Sequence, residues 1–393
     1  MKKMKVFALS VLLVFSLFCF SPAVEAHNPV WWDFDWNQRL EYTVNSTLIS
    51  ADLVDFPVLV YVDSDLVNWG DIQNNLDDIR FVGNYLDELS FEIDSFVLND
   101  EAWFWVRLPE VSSSLDTYFF MYFDNKFCIS GEDAEAVWDS NFVMVQHMND
   151  ATTSTILDSS SNDNDGAKLA ANEPIETDGQ IGKAQDFDGI NDYVNLVDFF
   201  DGDVCRYVSA IITSDVTDVN QGIFGNVRDA TTSGIFFRIT DINRLRFYFY
   251  DTTDTIRSVE KTINLGVTNY VAGVYDGDYM RLYINGVEVS NVQIGSVTIK
   301  TNNEFSHNIG ARWAGLTEFF NGFIDEVQVG ASRSSAWVGA SYETQRLNLL
   351  IVGGHAHPPD LTLRGEFLAA GMVLALILVP LLIFIIFAAK RRR

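Results

Sequence analysis

Cysteine is scarce in this sequence, and basic residues are far outnumbered by acidic ones. Only three of the 393 residues are cysteine, so the chain is not a small scaffold held together by many disulfides. Lysine and arginine number 26 against 54 acidic residues, and the formal net charge is −28. This charge repels nucleic acid, and it favours either the binding of divalent cations or solubility in a salty medium. We therefore expect no nucleic-acid partner.

Common catalytic motifs are missing as well. The sequence contains neither the Gly-x-Ser-x-Gly turn of serine hydrolases nor the His-Glu-x-x-His pattern of zinc proteases. Of the five histidines, His355 and His357 fall in a segment predicted to be flexible, where a metal finds no fixed geometry. We therefore interpret the chain as a protein that is not an enzyme.

The two ends of the chain are typical of a secreted, membrane-anchored protein. Residues 1–26 combine three early lysines, an apolar run and a small-x-small ending, which predicts a signal peptide cleaved after Ala26. Residues 367–389 contain no charged side chain and are long enough to cross a bilayer as a helix. The basic residues 390–393 follow and should stay in the cytoplasm. We expect a single-pass protein of the cell surface with its N-terminus outside.

Between these ends the composition indicates β structure. The chain has 30 Phe, 14 Tyr and 9 Trp, arranged in short apolar runs that Gly, Asn and Asp separate. Two series of such runs predict an all-β fold with two antiparallel β-sandwich domains, over residues 27–139 and 140–348, in addition to the transmembrane helix. The dipeptide Asn285-Gly286 predicts a hairpin, Ser334 or Ser335 can cap a helix, and residues 349–366 are typical of a stalk.

Several motifs of the second series resemble a known family. The stretches "GKAQDFDGINDYVNL", "VAGVYDGDYMRLYINGVEV" and "FFNGFIDEVQVGASRSSAWVGASYETQ" look like a laminin-G-like domain of the concanavalin-A-like lectin/glucanase superfamily, over residues 141–345. Residues 31–139 resemble an uncharacterised domain family that often precedes such lectin folds. The resemblance implies a jelly roll of two antiparallel sheets, and it lends no activity to the first domain.

The cofactor expected is calcium. The loop "LDSSSNDNDG" supplies Asp158 and Asn162, and oxygen atoms of such side chains are the ligands that calcium prefers. The resemblance implies that an aspartate on the last strand, here Asp325, shares the ion with this loop. Asp188 of "FDGINDYV" is a further candidate ligand. The alternatives are a solvated acidic turn at Asp158 and a hydrogen-bonded turn without a ligand at Asp188.

The candidate residues for sugar binding differ from those for sugar hydrolysis. Arg312 and Trp313 lie beside a Gly-containing turn, and an exposed tryptophan can stack on a sugar ring, although a packing role for this tryptophan is the alternative. The glucanases of the resembling superfamily carry Glu-x-Asp-x-x-Glu on one strand. Glu92 and Asp94 begin this pattern in the first domain, but no second glutamate completes it.

Two covalent modifications are possible outside the cell. Once a signal peptide is removed, Cys128 and Cys205 are the remaining cysteines, and they either form one disulfide between the domains or stay as two separate thiols. Asn45-Ser46-Thr47 is an acceptor sequence for N-glycosylation.

These observations favour a binding protein. The leading hypothesis is recognition of an extracellular glycan or surface protein through the laminin-G-like domain, for adhesion or capture. The alternative is a structural component of a surface layer or filament. A surface glycoside hydrolase is the third hypothesis, and it requires acids distant in sequence to converge in a groove.

Overall fold

The computed structural model describes residues 30–152, 154–169, 173–196, 205–225, 234–301, 307–312 and 317–358. The expected signal peptide, transmembrane helix and cytoplasmic tail lie outside the described residues, and so does Trp313. Within the described ranges, no helix is long and apolar enough to cross a membrane. The chain divides into two compact units, of which Arg39–His355 contains both sandwiches. In the other unit, the indole Nε1 of Trp31 donates to the carbonyl of Trp36 at 3.0 Å.

The first sandwich is built mainly from the first part of the chain. Its strands are β1 (Gln38–Val44), β2 (Leu53–Asp63), β3 (Arg80–Gly83), β4 (Glu88–Leu89), β5 (Phe91–Val97), β6 (Glu101–Val111), β7 (Thr117–Phe123) and, from the far end of the chain, β24 (Leu350–Ala356). One sheet has the order β24-β1-β7-β3-β4 and the other β2-β6-β5. The apolar run in β2 is buried, as its lack of alternation predicts.

The start of the expected stalk differs from the sequence-based prediction. Leu350–Ala356 forms strand β24 at the edge of the five-stranded sheet, beside β1. The pair Gly353-Gly354 is typical of a flexible segment, but glycine also suits a position where two backbones approach closely. A Cβ on Gly353 would lie 3.1 Å from the Cβ of Glu41 in β1. Pairing with β1, and not the local composition, therefore determines that Leu350–Ala356 is extended.

The second sandwich has two larger sheets. Its strands are β8 (Phe142–Gln146), β9 (Thr155–Ile156), β10 (Gly166–Lys168), β11 (Ile175–Asp178), β12 (Lys183–Asp188), β13 (Val194–Leu196), β14 (Tyr207–Ser214), β15 (Gln221–Gly225), β16 (Ile235–Ile239), β17 (Arg244–Tyr250), β18 (Ile256–Thr262), β19 (Asn269–Tyr275), β20 (Tyr279–Ile284), β21 (Val287–Gln293), β22 (Asn308–Ile309) and β23 (Asn321–Gly330). One sheet runs β18-β17-β16-β15-β22-β13-β10-β9. The other runs β11-β12-β23-β14-β19-β20-β21, with β8 also paired to β23.

Turn and cap residues in this sandwich follow the sequence signals. Asn285 and Gly286 join β20 to β21 with φ of 51° and 74°, which confirms the predicted hairpin. The described helices are α1 (Ala134–Val137) and α2 (Ser335–Gln345), with short 3-10 helices at Ser46–Leu48 and Trp69–Asp71. The hydroxyl of Ser334 accepts the backbone N–H of Trp337, so the predicted cap of α2 is confirmed.

The two sandwiches share apolar packing. One core cluster fills the inside of the second sandwich. The other cluster joins the first sandwich to residues of β14, β19 and α2. Helix α2 contributes Trp337, whose ring lies 4.9 Å from that of Phe56 in β2, and Thr344, whose hydroxyl accepts the N–H of Leu59. Helix α2 thus packs on a sheet of the first sandwich, and the all-β prediction holds for the fold with few helical residues.

Candidate functional site

An open cavity of about 140 Å³ lies beside helix α2 in the second sandwich. Two tyrosine rings form part of its wall: Tyr270 comes from β19 and Tyr342 from α2, with ring centroids 6.1 Å apart. The other lining residues are Gln180, Ile211, Thr268, Asn285, Gln345 and Arg346. We call this cavity the tyrosine pocket. Its mixture of aromatic faces with amide and guanidinium groups is the composition of a small-ligand site.

Hydrogen bonds hold the polar groups of the tyrosine pocket in place. The Oδ1 of Asn285 accepts the backbone N–H of Tyr270 at 3.0 Å, and Arg346 donates to the hydroxyl of Tyr342 at 2.9 Å. The Tyr270 hydroxyl lies 3.2 Å from that of Tyr207, deeper in the sheet. The rings are therefore fixed before any ligand arrives, which lowers the entropy cost of binding.

One acceptor in the tyrosine pocket lacks a donor. Gln345 is only 3% exposed, and its Oε1 has no hydrogen-bond partner among the described residues. A buried carbonyl oxygen without a donor costs roughly 1–3 kcal/mol. A hydroxyl group of a bound molecule can supply the missing hydrogen bond.

A second polar assembly is buried where the two sandwiches meet. It consists of Glu92 and Asp94 from β5, His147 just after β8, and Asp325 and Glu326 from β23. We call it the seam cluster. All five residues are buried, and Asp94, His147 and Glu326 each offer a ligand atom within 4.8 Å of the others. The sequence places these residues up to 234 positions apart, and only the packing of the two sandwiches unites them.

Two β-bulges explain how neighbouring acids reach one place. Side chains normally alternate between the faces of a strand, so Asp325 and Glu326 should point to opposite sides. Between the pairs Ser209↔Gln328 and Ile211↔Asp325, however, β23 holds one extra residue, and Glu326 has a φ of 52°. In β5 an extra residue likewise stands at Asp94, between the pairs of Ile93 and Ser95.

His147 lies at the centre of the seam cluster. Its Nδ1 is 2.7 Å from Oε1 of Glu326 and 3.3 Å from Oδ2 of Asp94, while its Nε2 is 3.2 Å from Oε2 of Glu92. The rings of Trp105 and Trp138 flank the imidazole at 6.0 and 5.6 Å. Both ring nitrogens of the histidine therefore face carboxylates.

Burial and charge compete in the seam cluster. Burial lowers the pKa of His147, but Glu326, Glu92 and Asp94 outweigh it and raise that pKa well above its usual value. Burial raises the pKa of Glu326 to about 7, and burial together with Glu326 raises the pKa of Asp325 well above its usual range. The acids are too crowded for all of them to ionise without additional positive charge.

The predicted calcium ligands are involved in hydrogen bonds within the protein. The carboxylate of Asp158 accepts the backbone N–H groups of Val145, Ser160 and Asn164, and so organises its own loop. Asn162 donates to the carbonyl of Phe142 at 2.9 Å. Asp158 and Asn162 do not belong to the group of three candidate ligands in the seam cluster. Their side chains have a structural role in this loop.

Asp325 and Asp188 are placed differently. The Oδ2 of Asp325 accepts the N–H groups of Gln180 and Ile181, in the turn between β11 and β12, and its Oδ1 is buried with no partner among the described residues. The Oδ1 of Asp188 accepts the N–H groups of Ile190 and Asn191, which is the geometry of the turn proposed as the alternative.

Arg312 is part of a charged group on the outer face of the sheet that contains β16 and β17. It donates to Glu318 at 2.8 Å, and Arg238 donates to the same carboxylate at 2.8 Å. The guanidinium groups of Arg312 and Arg238 lie over the rings of Phe236 and Tyr248, at 5.8 and 5.7 Å. Trp313, the partner expected for Arg312 in sugar binding, lies outside the described residues.

The disulfide considered between Cys128 and Cys205 is not formed. The thiol of Cys128 donates to the carbonyls of Asp77 and Asn125 in the first sandwich, whereas Cys205 lies in the core of the second. The shared apolar core holds the sandwiches together instead. The Oδ1 of Asn45 accepts the N–H and hydroxyl of Thr47, at the start of a 3-10 helix.

The seam cluster is the feature that sequence reasoning missed. In the sequence, Glu92 and Asp94 form only an incomplete glucanase motif, and no motif connects them to His147. The signal available was "FIDEV", where two adjacent acids interrupt an apolar strand. Adjacent acids cannot both face solvent on a regular strand, so they indicate a bulge or a buried polar site.

Comparison with known proteins places the lectin fold in the second sandwich. Residues 188–339 match the model of the concanavalin A-like lectin/glucanases superfamily, and residues 75–163 match that of a domain of unknown function. Both matches confirm the resemblance described from the sequence motifs. The second match runs past the predicted boundary at residue 139 and includes His147, so it contains the whole seam cluster except the acids of β23.

No curated protein matches the chain. Among solved structures, domain 4 of AbnA, a GH43 extracellular arabinanase from Geobacillus stearothermophilus in complex with arabinotriose, is 19% identical and has a TM-score of 0.40, covering 51% of this chain and 97% of its own. The receptor binding domain of botulinum neurotoxin type G is 13% identical (TM-score 0.40), and the binding domain of Paraclostridial Mosquitocidal Protein 1 is 13% identical (TM-score 0.42). Each of these two comparisons covers 52% of both chains, so this chain spans about half of either toxin domain.

Proposed function

We propose that this chain is a cell-surface binding protein whose second sandwich recognises an extracellular glycan in the tyrosine pocket. The lectin-like family match over residues 188–339 supports a binding role. The proposed signal peptide (1–26) and transmembrane helix (367–389) would hold the sandwiches outside the cell. Cleavage of the sandwiches by protease added to intact cells, with the chain in the membrane fraction, is the result expected for this location.

The observation that carries the proposal is that two fixed tyrosine rings, Tyr270 and Tyr342, line one cavity together with Gln345, whose Oε1 has no partner among the described residues. The faces of Tyr270 and Tyr342 offer apolar surface to the C–H groups of a sugar ring, and a sugar hydroxyl can donate to Gln345. Arg346 and Asn285 can donate to or accept from further hydroxyls at the rim. A volume of about 140 Å³ suits one residue of a glycan, so a chain end or a single side branch fits better than the middle of a polymer.

A glycan array probed with the full-length chain tests the proposal, followed by calorimetry with the best ligand. Gln345→Leu removes the acceptor at similar volume, and we expect it to weaken binding about tenfold, the usual effect of losing one buried hydrogen bond. Tyr279→Phe is the matched control for Tyr342→Phe, because each tyrosine lies under an arginine, at 4.8 and 5.1 Å. Tyr342→Phe should weaken binding and Tyr279→Phe should not.

An array without bound glycans would overturn the proposal. Binding that survives Gln345→Leu unchanged would place the ligand elsewhere on the protein. Arg312 and the residues around it would then be the next surface to test, since three arginine and aromatic pairs lie there.

A calcium ion is a further part of the proposal. Asp325 is its most suitable ligand, because Oδ1 is buried and has no partner among the described residues, whereas Asp158 already accepts three backbone N–H groups. Calcium bound to the folded state must raise the melting temperature. An identical melting temperature in calcium and in chelator would exclude it.

A second candidate function, packing within a surface assembly, is favoured by a different observation. Tyr85, Phe127 and Ile129 are 91%, 97% and 80% exposed on the first sandwich. Arg80 connects their segments, since it donates to the carbonyl of Ile129 and pairs with Glu88 just after the Tyr85 turn. If the chain assembles through this surface, Phe127→Ser should abolish self-association in sedimentation experiments and leave glycan binding intact.

Hydrolysis of glycans is not proposed. Glu92 and Asp94, the acids nearest to a glucanase motif, are buried in the seam cluster, where a sugar polymer has no access.

A further inference from the structure

We propose that Asp94, His147 and Glu326 bind a divalent transition-metal ion, such as Zn²⁺ or Mn²⁺, at the seam between the two sandwiches. Each ligand comes from a different part of the chain: β5, the segment after β8, and β23. The ion would therefore connect the first sandwich to both ends of the second. This proposal is independent of glycan binding, and it concerns the same cluster that contains Asp325, the proposed calcium ligand.

The spacing of the ligand atoms fits such an ion. Zinc binds nitrogen and oxygen ligands at about 2.0–2.2 Å, so two ligands of a tetrahedral site lie roughly 3.3–3.5 Å from each other. Nδ1 of His147 is 3.3 Å from Oδ2 of Asp94 and 2.7 Å from Oε1 of Glu326. The ligand atoms of Asp94 and Glu326 lie within 4.8 Å of each other, so the three groups surround one position.

The outer hydrogen bonds are those of a metal-bound histidine. The nitrogen that does not face the proposed ion, Nε2 of His147, lies 3.2 Å from Glu92, and a carboxylate at this position orients the ring toward a metal. Glu92 is held in turn by Trp138 Nε1 at 2.7 Å and by the hydroxyl of Ser159. Indole Nε1 of Trp105 donates to Asp94 at 3.2 Å.

An unpaired oxygen points to a missing cation. Oε2 of Glu326 has no hydrogen-bond partner among the described residues, although Glu326 is 1% exposed. The seam cluster contains four carboxyl groups and a single imidazole, so its acids outnumber the charge that His147 can supply. A divalent ion gives Glu326 Oε2 a partner and balances the remaining charge, whereas a buried acid without either is destabilising.

The backbone supports the same reading. Glu326 has a φ of 52° inside a strand, a conformation that costs a residue with a side chain free energy. The bulge lies where β23 changes its partner from β12, which pairs up to Ile324, to β8, which pairs from Val327. Bulges of this kind re-aim side chains, and this one directs Glu326 to His147.

The ligand set selects the class of ion. A nitrogen ligand disfavours Ca²⁺ and Mg²⁺, which prefer oxygen, and the absence of thiolate disfavours Cu⁺. The ion binds through the Nδ1 lone pair of a neutral imidazole, so Nδ1 of His147 must carry no proton in the loaded site. Because the site is buried, the ion should enter as the sandwiches pack together, and loading of the folded chain should be slow.

The test uses the full-length chain, unfolded in chelator and refolded in detergent with Zn²⁺ or Mn²⁺. High salt suppresses loose binding to the acidic surface. We expect one ion per chain after gel filtration and a higher melting temperature. Glu326→Gln should lower the affinity at least tenfold. The control is Glu260→Gln, which changes a glutamate paired with Arg244 far from the seam cluster and should retain the ion.

Refolded chain without a retained ion would overturn the proposal, and so would Glu326→Gln that holds the ion as tightly as the unaltered chain. Co²⁺ provides a second test, which needs no variant and so does not depend on the folding of Glu326→Gln. Co²⁺ refolded into the unaltered chain should give visible absorption bands of a nitrogen–oxygen site, and a colourless protein contradicts the assignment.

Discussion

His147 and His307 are both buried, but their surroundings are opposite. His147 lies among Glu326, Glu92 and Asp94, which raise its pKa well above the usual value in spite of burial. His307, next to β22, stacks on the ring of Phe224 at 5.7 Å, and burial lowers its pKa to about 3. Burial alone keeps an imidazole neutral, whereas burial beside carboxylates keeps it charged.

This difference separates two kinds of interior. His307 stacks on Phe224, a member of the apolar core of the second sandwich. At the seam between the sandwiches, charged groups from two sheets depend on one another, so the loss of one leaves the others uncompensated. We expect the same substitution to cost far more stability in the seam cluster than at His307.

The largest expected effect is that of His147→Leu. It removes the positive charge that Glu92, Asp94 and Glu326 share, and breaking a buried ion pair from one side usually costs about 3–5 kcal/mol. The matched change His307→Leu removes an imidazole that stacks on Phe224 and whose pKa is lowered by burial, so no buried carboxylate loses a positive charge and the cost should be smaller. Urea denaturation at neutral pH, in chelator, measures both values.

Equal losses for the two leucine variants would break the comparison, because the charge of His147 would then be irrelevant to stability. Retained stability in His147→Leu would show that the acids of the seam cluster accept protons instead of requiring a cation.

The next effect is the pH dependence that His307 imposes. Its pKa is about 3 in the folded state and about 6.5 in the unfolded chain, so only the unfolded chain takes up the proton between these values. Stability is therefore lost as the pH falls below 6.5, by about 1.4 kcal/mol per pH unit. His307→Leu should flatten this part of the stability curve, measured by urea denaturation at a series of pH values.

His357→Leu is the control for the part of the stability curve below pH 6.5, because this residue is exposed. It should leave the curve as it is. If the slope of the His307→Leu curve below pH 6.5 is unchanged, carboxyl groups alone produce the loss of stability at low pH.

The sequence predicts individual strands, turns and caps better than the long-range contacts between them. Local signals were sufficient for the hairpin at Asn285-Gly286 and for the cap at Ser334, since both depend on a few neighbouring residues. The buried strand at β2 followed from its unbroken apolar run. These features are encoded within windows of about ten residues, where period and turn chemistry are informative.

Long-range packing was not predictable in the same way. Strand β24 looks like a linker until β1 is placed beside it, and Asp94 and Glu326 look like surface acids until two bulges bring them to His147. A bulge shifts the register by one residue and so reverses which face a side chain occupies. The position of a bulge depends on which strands pair, and a single sequence does not show that pairing.

The smallest expected effect concerns one hydrogen bond of the seam cluster. Trp138→Phe keeps an aromatic ring near His147 but removes the Nε1 donor that Glu92 accepts at 2.7 Å, and we expect a loss of about 1–3 kcal/mol. Trp103→Phe is the matched control, because its Nε1 is buried without a partner among the described residues. Both changes remove the same indole atoms, so the difference between them in urea denaturation isolates the hydrogen bond. Equal losses would show that Glu92 needs no donor from Trp138, and that the charge of His147 alone stabilises this carboxylate.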